Sequence, residues 1–480
     1  MKTFSSPHRV AVIGGGLTGL TAAWHLRQAG LTPVVFEKST RIGGAIGAVR
    51  KDGWLHELGP NSMLESSPEL AAFIDAIGLG ARRIYAAPAA RQRYIVRGGR
   101  PVAMPTSPLS FATTRLFSLS AKLALLGEPW RPRGAAIVEE SVTDFVLRRL
   151  GREFLDYAIN PFVGGVYAGD PTSLSVQHAF PKLHTLEQEH GSLIRGALKR
   201  RNASGGPKGR MFSFPNGLSE VPEALARSLG DAVQLGTVVT AVRKLESGWE
   251  IETLNTPPGQ VGRFDAVVCA LPADALAMLH LQGIPQPDRL VPLREIEQPP
   301  VASVFMGFRR GEVRHPLDGF GVLVPEVERR AILGTLFSST LFPGRAPDGH
   351  VALTTFVGGM RRPELARLGD GELSNLVHHE LTQLLGVTAA PVFMRIQRWP
   401  RAIPQYTLGY QRFKDVMAAA ESAAPGLFIG GNARDGISLA NCISSGSRLA
   451  ETTRQYLAQA GNLHTGSVAV AQSTLVEAAR

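Results

Sequence analysis

Cysteine is scarce in this chain, and its scarcity narrows the classes of protein to consider. The two cysteines, Cys269 and Cys442, stand far apart and offer neither a disulfide framework nor metal-ligand spacing, so a reducing compartment is expected. No uncharged apolar run reaches the ~18 residues of a membrane-spanning helix. The first ten residues contain no apolar core of a signal peptide and are too short for a usual transit peptide. These features favour a bacterial chain or one that was already trimmed.

Acidic residues are nearly missing from two stretches, which makes the charge distribution uneven. The chain carries +11, yet 82–133 holds ten basic residues against one acid, and 195–210 holds six against none. Apolar residues are interleaved in the first stretch, namely Leu109, Phe111, Leu116, Phe117, Leu119, Leu123, Leu125 and Leu126. This pattern is typical of a helix in a membrane interface, although a buried helix with a solvated basic face shows it too. An anionic substrate is a third interpretation, and no base-reading motif supports nucleic acid as a partner.

Length and composition predict several domains with many tight loops. At 480 residues the chain exceeds a single hydrophobic core, so two or three domains are expected. A hydrophobic fraction of 44% with 19% charged residues is typical of a globular protein. The 52 glycines favour tight turns, of the kind that approach a cofactor closely.

A glycine-rich turn follows the first apolar run of the chain. Residues 10–13 are rich in β-branched side chains and predict a buried strand, while 21–29 has helix-forming composition. The turn between them fits the spacing G-x-G-x-x-G and contains Gly14, Gly16, Leu17, Thr18 and Gly19. Such a turn lets backbone N–H groups and the helix N-terminus face a pyrophosphate, and a Cβ there would block that approach.

A carboxylate at the end of the second strand points to a bound dinucleotide. The strand 33–36 ends in Glu37, which lies 18 residues after Gly19 and can accept both ribose hydroxyls of an adenosine. Two further loops contribute the expected cofactor residues Lys38, Arg41, Gly43, Gly44, Gly59, Pro60, Asn61 and Ser62. A nicotinamide site needs no such loops, whereas an FAD must also be embraced at its flavin end, so FAD is predicted. Arg41 can pair with the pyrophosphate through both guanidinium nitrogens, and the alternative is a surface arginine.

The order of apolar segments predicts an α/β chain with a discontinuous parallel sheet. The strands 264–272 and 427–432 are apolar and match the strand at 10–13 in character. The sheet is therefore expected to come from three separated pieces of the chain. A strand-rich unit lies between those pieces, and a basic helical unit lies inside it.

Six blocks in the interior of the chain are more specific than the glycine turn. They are 160–171, 179–183, 320–325, 334–339, 354–359 and 431–443. Through these blocks the chain resembles, over almost its whole length, the oxygen-dependent protoporphyrinogen oxidases of the flavin amine oxidase superfamily, in their plant-type form. The resemblance implies oxidation of protoporphyrinogen IX to protoporphyrin IX, with three O2 reduced to three H2O2, in haem or chlorophyll biosynthesis. It also implies a target of diphenyl-ether-type herbicides.

The resemblance further implies three domains with the active site between the first two. These are a Rossmann-like FAD-binding domain (1–88, 211–290 and 393–460), a mixed-sheet substrate-binding domain (89–104 and 291–392) and a helical membrane-associated domain (105–210). The terminal position of 461–480 separately predicts a flexible tail. The mixed α/β and α+β character of such a chain agrees with the order of apolar segments.

Residue by residue, the resemblance implies a substrate slot. The matching residues are Arg93 at a propionate, Leu323 and Leu336 on one face of the macrocycle, Phe356 on its other face, and Gly165 and Gly169 in the turn beside it. A flat apolar macrocycle with acidic rims needs an apolar slot and a cation, which supports these roles independently. Without the family, the apolar residues are equally typical of a core, Arg93 of a surface and Gly169 of an ordinary turn.

The resemblance also assigns the flavin end of the cofactor site. Asn61 matches a residue near the flavin, and the backbone of Val239 matches a contact with adenine. The turn under the flavin ring is matched by Gly436, Ile437, Ser438 and Leu439, and Gly431 and Asn432 just before it are further expected cofactor-binding residues. No nucleophile, metal cluster or catalytic triad is evident, as expected where the protein orients the substrate and excludes water.

Three other functions stay open on the sequence. The same fold could oxidise coproporphyrinogen III to coproporphyrin III, a substrate that differs only in its rim carboxylates. It could also be another superfamily oxidase, such as an amine oxidase or a carotenoid desaturase, or a flavin-binding membrane-surface protein without turnover. The expected partners are protoporphyrinogen IX, O2 and a peripheral membrane surface, and a homodimer is compatible. The expected location is the cytoplasm or the cytoplasmic face of a bacterial inner membrane, or an organelle if a transit peptide was removed.

Overall fold

Five short parallel strands form the sheet from which the N-terminal glycine turn leaves. The computed structural model describes residues 8–134, 138–203, 209–254 and 262–477. In order across the sheet, the strands are Val233–Gln234, Thr32–Phe36, Arg9–Ile13, Ala266–Cys269 and Leu427–Ile429. Val10, Ala11 and Val12 of the central strand are fully buried, as a parallel sheet covered on both faces requires. The prediction of a discontinuous α/β sheet is confirmed, since its strands come from three separated parts of the chain.

Two helices begin at the carboxyl edge of this sheet and pack closely together. The helix Leu17–Gln28 follows the first strand, and the helix Leu439–Glu477 follows the last one. Gly446 permits the close approach, because a Cβ there would lie 2.6 Å from the carbonyl oxygen of Thr18. The positive ends of both helix dipoles therefore lie at the same edge. The last helix continues through most of 461–480, the segment for which the sequence predicts a flexible tail, and 478–480 lies outside the described residues.

A seven-stranded sheet forms the second unit. In order, its strands are Phe393–Trp399, Val301–Arg309, His350–Gly358, Ile332–Leu336, Gly319–Leu323, Gln92–Arg97 and Arg100–Ala103. The helix Asp370–Leu385 packs on one face, where Val304 and Val322 are buried. Side chains alternate between the faces of a strand, so Phe305 lies on the opposite face, where it contacts Trp54 of the first unit. That face is therefore turned toward the parallel-sheet unit.

The strand Phe393–Trp399 corrects one domain boundary. The sequence analysis begins the last piece of the FAD-binding domain at 393, but the strand pairs antiparallel with Val301–Arg309 in the seven-stranded sheet. The boundary at 393 was therefore wrong, and the strand belongs to the substrate unit. Composition predicts a strand at this position but carries no information on its pairing partner.

Smaller sheets and helices complete the fold. The four-stranded sheet contains Arg263–Phe264, Trp249–Thr253, Val239–Lys244 and His280–Gln282, the three-stranded sheet contains Met63–Glu65, Arg210–Ser213 and Ile84–Tyr85, and a hairpin joins Ala48–Lys51 to Trp54–Glu57. The other described α-helices are Pro68–Ala76, Pro108–Thr113, Leu119–Leu126, Val142–Arg149, Arg152–Phe154, Asn160–Tyr167, Val176–Ala179, Pro181–His190, Leu193–Ala203, Glu220–Leu229, Ala273–Ala277, Ser338–Leu341 and Gln411–Ala423.

The described part of 105–210 is mainly helical, and buried charges hold it together. Glu128 and Arg149 are both fully buried and form an ion pair. The Glu128 carboxylate also accepts a hydrogen bond of 2.9 Å from the backbone N–H of Leu193, at the start of the helix Leu193–Ala203. Buried charges stay stable only when paired and hydrogen-bonded, so this network fixes the packing of the helices. Among the described residues, the chain has no helix with both the length and the apolar character to cross a bilayer.

Candidate active site

The glycine turn leaves an open space at Gly16. A Cβ added to Gly14, whose φ is 107°, would lie 2.6 Å from the carbonyl oxygen of Ala270, and one added to Gly19 would collide with Gly14. At Gly16, none of the described atoms lies within 4 Å of that position. No side chain in the described ranges caps the N-terminus of the helix Leu17–Gln28. The first-turn N–H groups and the open space together form a cradle for an anionic group.

Glu37 lies beside this cradle at the end of its strand and is almost fully buried. Its carboxylate accepts hydrogen bonds from the backbone N–H of Gly15 at 2.7 Å and from the backbone N–H of Ser39 at 2.9 Å. Carboxylate oxygens have further lone pairs, which can accept ribose hydroxyls. The backbone N–H of Thr237 donates to the Glu37 carbonyl oxygen at 2.9 Å. This contact brings Val239, two residues later, to the same end of the cradle.

The second glycine loop is fastened to the first. The backbone N–H of Gly43 donates to the Gly15 carbonyl oxygen at 2.8 Å, and Gly44 is exposed beside the cradle. Arg41 donates to the carbonyl oxygens of Gly44 at 2.7 Å and Ile46 at 2.9 Å. Its guanidinium therefore shapes its own loop here, whereas the sequence analysis expects it on the pyrophosphate. The exposed side chain of Lys38 lies at the mouth of this loop, next to Glu37 in sequence.

The third loop, 58–62, is held by the edge of the seven-stranded sheet. The indole N–H of Trp399 donates to the Leu58 carbonyl oxygen at 2.8 Å. Within the loop, the Asn61 amide donates to the Gly59 carbonyl oxygen at 2.9 Å. The four residues of this loop that were predicted to bind the cofactor, Gly59, Pro60, Asn61 and Ser62, are all half-buried. The loop is thus positioned by the substrate unit although its sequence belongs to the first unit.

The C-terminal turn 431–439 is braced by side chains that the sequence analysis did not single out. The Asp435 carboxylate accepts from the Gly431 N–H at 3.1 Å and from the Ser445 hydroxyl at 2.6 Å. Arg448 pairs with the same carboxylate at 2.8 Å. Gly436 has a φ of 114°, and a Cβ there would collide with Asn441. In the sequence, Asp435 lies between Gly431 and Gly436, just before a helix. That position is the only sequence feature that indicates its role.

The three loops and the C-terminal turn fit an FAD along its length. Gly16 and the helix N-terminus offer a site for the pyrophosphate, and Glu37 offers acceptors for the ribose. The turn that contains Gly436 and ends at Leu439 begins the second helix, whose N-terminus can face the pyrimidine side of a flavin. Ile437 and Leu439 are half-buried and Ser438 is exposed, which is compatible with a ligand above the turn. Asn432 is half-buried within the same turn.

A row of the predicted substrate residues, called the slot below, lies on the face of the seven-stranded sheet that is turned toward the first unit. Leu323 pairs with Gly334 across one strand boundary, and Gly334 pairs with Phe356 across the next. Cross-strand partners share a face, so Leu323 and Phe356 flank a residue that has no side chain. Leu336 lies two residues beyond Gly334 and therefore on the same face. The structure thus brings together the three apolar residues that the sequence analysis assigned to a macrocycle.

A buried hydroxyl extends the slot on its far side. Ser303 pairs with Phe356 in the sheet and is 1% exposed. Among the described atoms, its hydroxyl has no hydrogen-bond partner. A buried hydroxyl without a partner is costly, and a polar group of a ligand would satisfy it. Ser303 was not predicted, because its place in the alternating run 301–305 is typical of an ordinary strand.

Arg93 lies at one edge of the slot face. Ile95 pairs with Leu323, so Arg93, two residues earlier, projects on the same side of the sheet. Its guanidinium is exposed and lies 5.5 Å from the ring centroid of Phe320. The stacking orients the guanidinium without consuming its N–H donors, which remain able to bind a carboxylate.

The helix Asn160–Tyr167 closes the slot from above. A Cβ at Gly165 would lie 2.6 Å from a methyl carbon of Leu323, so only glycine lets the helix approach this closely. Arg361 donates to the Val324 carbonyl oxygen and to the Asn160 side chain, both at 2.7 Å. The guanidinium therefore ties the helix to the strand that carries Leu323. Neither Arg361 nor the Asn160 side chain was singled out from the sequence.

Burial shifts the pKa of two adjacent groups in the strand Trp54–Glu57. Burial, with a smaller contribution from Arg395, lowers the pKa of His56 to about 4. Burial also raises the pKa of Glu57 to about 7, against the opposing effect of Arg345. Arg345 is almost fully buried and donates to the Ser213 hydroxyl at 2.7 Å. The ion pair of Arg345 with Glu57 joins the substrate unit to the strand just before the third cofactor loop.

The chain is similar to known proteins over most of its length. The family model of flavin-containing amine oxidoreductases matches residues 17–453. Protoporphyrinogen oxidase 2 of Arabidopsis thaliana is 35% identical, with 95% of this chain and 96% of the relative covered. The mitochondrial protoporphyrinogen oxidase of Nicotiana tabacum is 36% identical, with 94% and 96% covered. Coproporphyrinogen III oxidase of Bacillus subtilis is 30% identical, with 93% and 98% covered.

Solved structures show the same fold. A crystal structure from an Exiguobacterium species, provisionally named a protoporphyrinogen oxidase, is 25% identical with a TM-score of 0.78 over 93% of this chain and 98% of the other. A putrescine oxidase reaches a TM-score of 0.67 at 17% identity, over 93% and 99%, which shows the fold alone. This chain belongs to the flavin-containing amine oxidoreductase family, as an FAD-dependent oxidoreductase of the branch whose curated members are named protoporphyrinogen and coproporphyrinogen III oxidases.

Proposed function

We propose that this chain oxidises protoporphyrinogen IX to protoporphyrin IX, with O2 as the electron acceptor and H2O2 as the second product. The observation that carries the proposal is the row Leu323, Gly334 and Phe356 on a sheet face turned toward the cofactor loops. Bound FAD supplies the two-electron oxidations and passes the electrons to O2. The curated relatives that are similar over nearly their whole length carry the name of this activity.

The residues of the chain bind and orient the substrate. Two strand spacings of ~4.8 Å separate the backbones at Leu323 and Phe356 by about 9.5 Å, which admits a flat ring between their side chains over Gly334. Arg93, at the edge of the same face, binds a propionate of the rim through paired hydrogen bonds. The slot excludes water from the reacting carbon because both of its walls are apolar.

Coproporphyrinogen III is the second candidate substrate. It is supported by the similarity to the Bacillus subtilis coproporphyrinogen III oxidase, which is covered over 98% of its length. The side chains at the entrance of the slot, called its lip, favour protoporphyrinogen IX. Phe162 and Val166 lie one helical turn apart on the helix that carries Gly165, and both are exposed. Apolar side chains at the lip suit the vinyl groups of protoporphyrinogen better than additional propionates, whose charge they cannot pair.

Turnover of the two porphyrinogens tests this choice. We expect kcat/KM to favour protoporphyrinogen IX by at least about tenfold, the equivalent of one missing charge pair. The variant Val166→Lys, which adds a cation at the lip, should reduce that preference, while Val327→Lys, on an exposed turn, should not. Equal or reversed preference in the unmodified chain would overturn the choice of substrate and would leave the FAD site untouched.

We also propose that the helical unit binds an anionic membrane surface, at the cytoplasmic face of a bacterial inner membrane. Leu109, Leu119 and Trp130 are between 72% and 77% exposed in the unit with the net positive charge. Exposed apolar side chains among cations are typical of shallow insertion between anionic headgroups. The side chains of the basic residues 200 and 201 lie outside the described part of the structure. The exposed side chains of 105–134 therefore carry the proposal.

Vesicle sedimentation tests the membrane proposal. We expect binding to phosphatidylglycerol vesicles to exceed binding to phosphatidylcholine vesicles, and to weaken as the Debye length falls from ~10 Å at ~0.1 M salt to ~3 Å at ~1 M. The variant Leu119→Ser should weaken binding, whereas Leu254→Ser, an equally exposed leucine outside the unit, should not. Equal binding to both kinds of vesicle, or none to either, would contradict the proposal.

A further inference from the structure

Two consecutive buried side chains, Gln405 and Tyr406, reach in opposite directions. They lie in the irregular segment between the strand Phe393–Trp399 and the helix Gln411–Ala423. Both are at most 2% exposed. Neither belongs to a motif that explains its burial, and polar side chains in this position must be hydrogen-bonded to be tolerated.

Tyr406 holds the turn beneath the flavin. Its hydroxyl donates to the carbonyl oxygen of Asn432 and accepts from the N–H of Gly436 at 2.9 Å. Burial raises the pKa of Tyr406 well above its usual range, so the hydroxyl stays protonated and remains a donor. The ring of Tyr410 packs against it at 4.5 Å, and the Tyr410 hydroxyl donates to the Ala433 carbonyl oxygen at 2.7 Å. Three backbone groups of the turn are thus fixed from below.

Gln405 holds the end of the helix that closes the substrate slot. Its amide donates to the Tyr167 carbonyl oxygen at 2.9 Å. Its amide oxygen lies 2.5 Å from the position of a Cβ on Gly169, so the side chain occupies the space that this glycine leaves. Between them, Ala168 has a φ of 49°, a left-handed conformation that alanine adopts only at a cost. The amide contact with this chain end helps to maintain that conformation.

We infer that Gln405 and Tyr406 form one positioning element that sets the flavin-bearing turn relative to the substrate slot. One planar peptide joins the two residues, and both side chains are buried and hydrogen-bonded, so a shift at one end is transmitted to the other. The inference rests on the proposed function, since it concerns the distance between the flavin ring and the porphyrinogen. An error of ~1 Å in such a distance can cost on the order of 100-fold in rate. Both are positioning residues and touch neither reactant.

The variant Tyr406→Phe tests the flavin end, because it removes the hydroxyl and keeps the ring. We expect FAD dissociation from the reconstituted holoenzyme to rise on the order of tenfold, as for loss of two neutral hydrogen bonds. We also expect shifts in the visible flavin spectrum and in the reduction potential. The control is Tyr456→Phe, whose hydroxyl bonds the Pro425 carbonyl oxygen away from the site. Wild-type FAD affinity, spectrum and potential in Tyr406→Phe would overturn the inference.

The substrate end is tested through the flavin. Gly169→Ala displaces the Gln405 amide, and Gln405→Met removes its hydrogen bond at similar volume, so both should alter the flavin spectrum although neither residue touches the flavin. In anaerobic single turnovers, we expect flavin reduction to slow in Gln405→Met and Tyr406→Phe with little change in KM. The factor by which the double variant slows flavin reduction should be smaller than the product of the two single-variant factors, because both substitutions disrupt the same element. Multiplicative effects, or an unchanged spectrum in Gly169→Ala, would overturn the inference.

Failure of the proposed function gives a different result. If the unmodified holoenzyme forms no porphyrin, the substrate assignment fails, but the spectra and FAD affinities of these variants still report on the coupling. If the unmodified enzyme forms porphyrin and the variants match it in spectrum, potential and reduction rate, only the coupling fails. Should Gln405→Met fail to fold, the conservative Tyr406→Phe carries the test alone.

Discussion

Leu323 and Phe356 stand on either side of Gly334 in one row of the seven-stranded sheet. This relationship explains how residues on a single sheet face can contact both faces of a flat ring. In the proposed function, the ring enters edge-on between these two side chains. A Cβ on Gly334 would lie 2.7 Å from the Val322 carbonyl oxygen and 3.1 Å from a methyl carbon of Leu323.

Gly334→Ala should raise KM for the porphyrinogen, because the new methyl group meets the Val322 carbonyl oxygen and the Leu323 side chain, so the strand that carries Leu323 must shift at the slot. An overpacked site of this kind typically costs ~1–3 kcal/mol, which corresponds to about 5- to 150-fold in affinity. FAD content should stay unchanged. The control is Gly371→Ala, at the start of the helix Asp370–Leu385, where the described structure has nothing within 4 Å of the added Cβ. An unchanged KM in Gly334→Ala would place the substrate elsewhere.

Arg93→Ala should raise KM with a smaller effect on kcat, because a charge-assisted contact with a propionate is lost. The loss of about 1.5–3 kcal/mol corresponds to about 10- to 150-fold. The KM of Arg93→Lys should lie between those of the unmodified enzyme and Arg93→Ala, since an ammonium cannot bind a carboxylate through two fixed N–H groups. Arg100→Ala removes an exposed arginine from the adjacent strand and serves as the control. Equal KM values for Arg93→Ala and Arg100→Ala would refute the assignment of Arg93 to the propionate.

Acidification should remove the contribution of His56 to stability. The folded-state pKa is about 4, below the ordinary value of 6.5, so the unfolded chain takes up a proton in this window and the folded chain does not. The contribution of His56 falls by about 1.5 kcal/mol between pH ~6.5 and ~5, whereas Glu57, whose folded-state pKa is raised to about 7, contributes in the opposite direction. In urea denaturation, the free energy of unfolding of His56→Gln should therefore rise relative to that of the unmodified protein as pH falls through this window. A variant with the same pH dependence as the unmodified protein would show that other groups cause it.

The ion pair of Glu128 and Arg149 should be essential for the helical unit. Glu128→Ala leaves the buried Arg149 charge with only the Glu187 carboxylate, at 3.5 Å, and loss of a buried partner typically costs ~3–5 kcal/mol. Replacement of both, as Glu128→Leu with Arg149→Met, should be less harmful than the single change, because no charge is then stranded. Urea denaturation and limited proteolysis within 105–134 measure the effect. A single variant more stable than the double variant would contradict the account.

Local sequence patterns predict the cofactor cradle well, and long-range pairing explains what they missed. The strand, glycine turn and Glu37 form one continuous unit, whose chemistry follows from spacing alone. Phe393–Trp399 was predicted as a strand but assigned to the wrong domain, because its pairing partner, the strand Val301–Arg309, is distant in sequence. Arg41 was expected at the pyrophosphate, yet carbonyl oxygens of its own loop compete for its donors. Tyr406 acts through backbone atoms that no sequence pattern indicates.

The slot between Leu323 and Phe356, beside an FAD, is the central claim, and one measurement tests it most directly. The purified chain is supplied with FAD, its visible spectrum is recorded, and protoporphyrinogen IX is added in air while porphyrin fluorescence and H2O2 are followed. We predict a yellow protein that forms protoporphyrin IX with three H2O2 for each porphyrin. A protein that stays colourless with FAD, or a yellow one that leaves protoporphyrinogen IX unoxidised, would contradict the account.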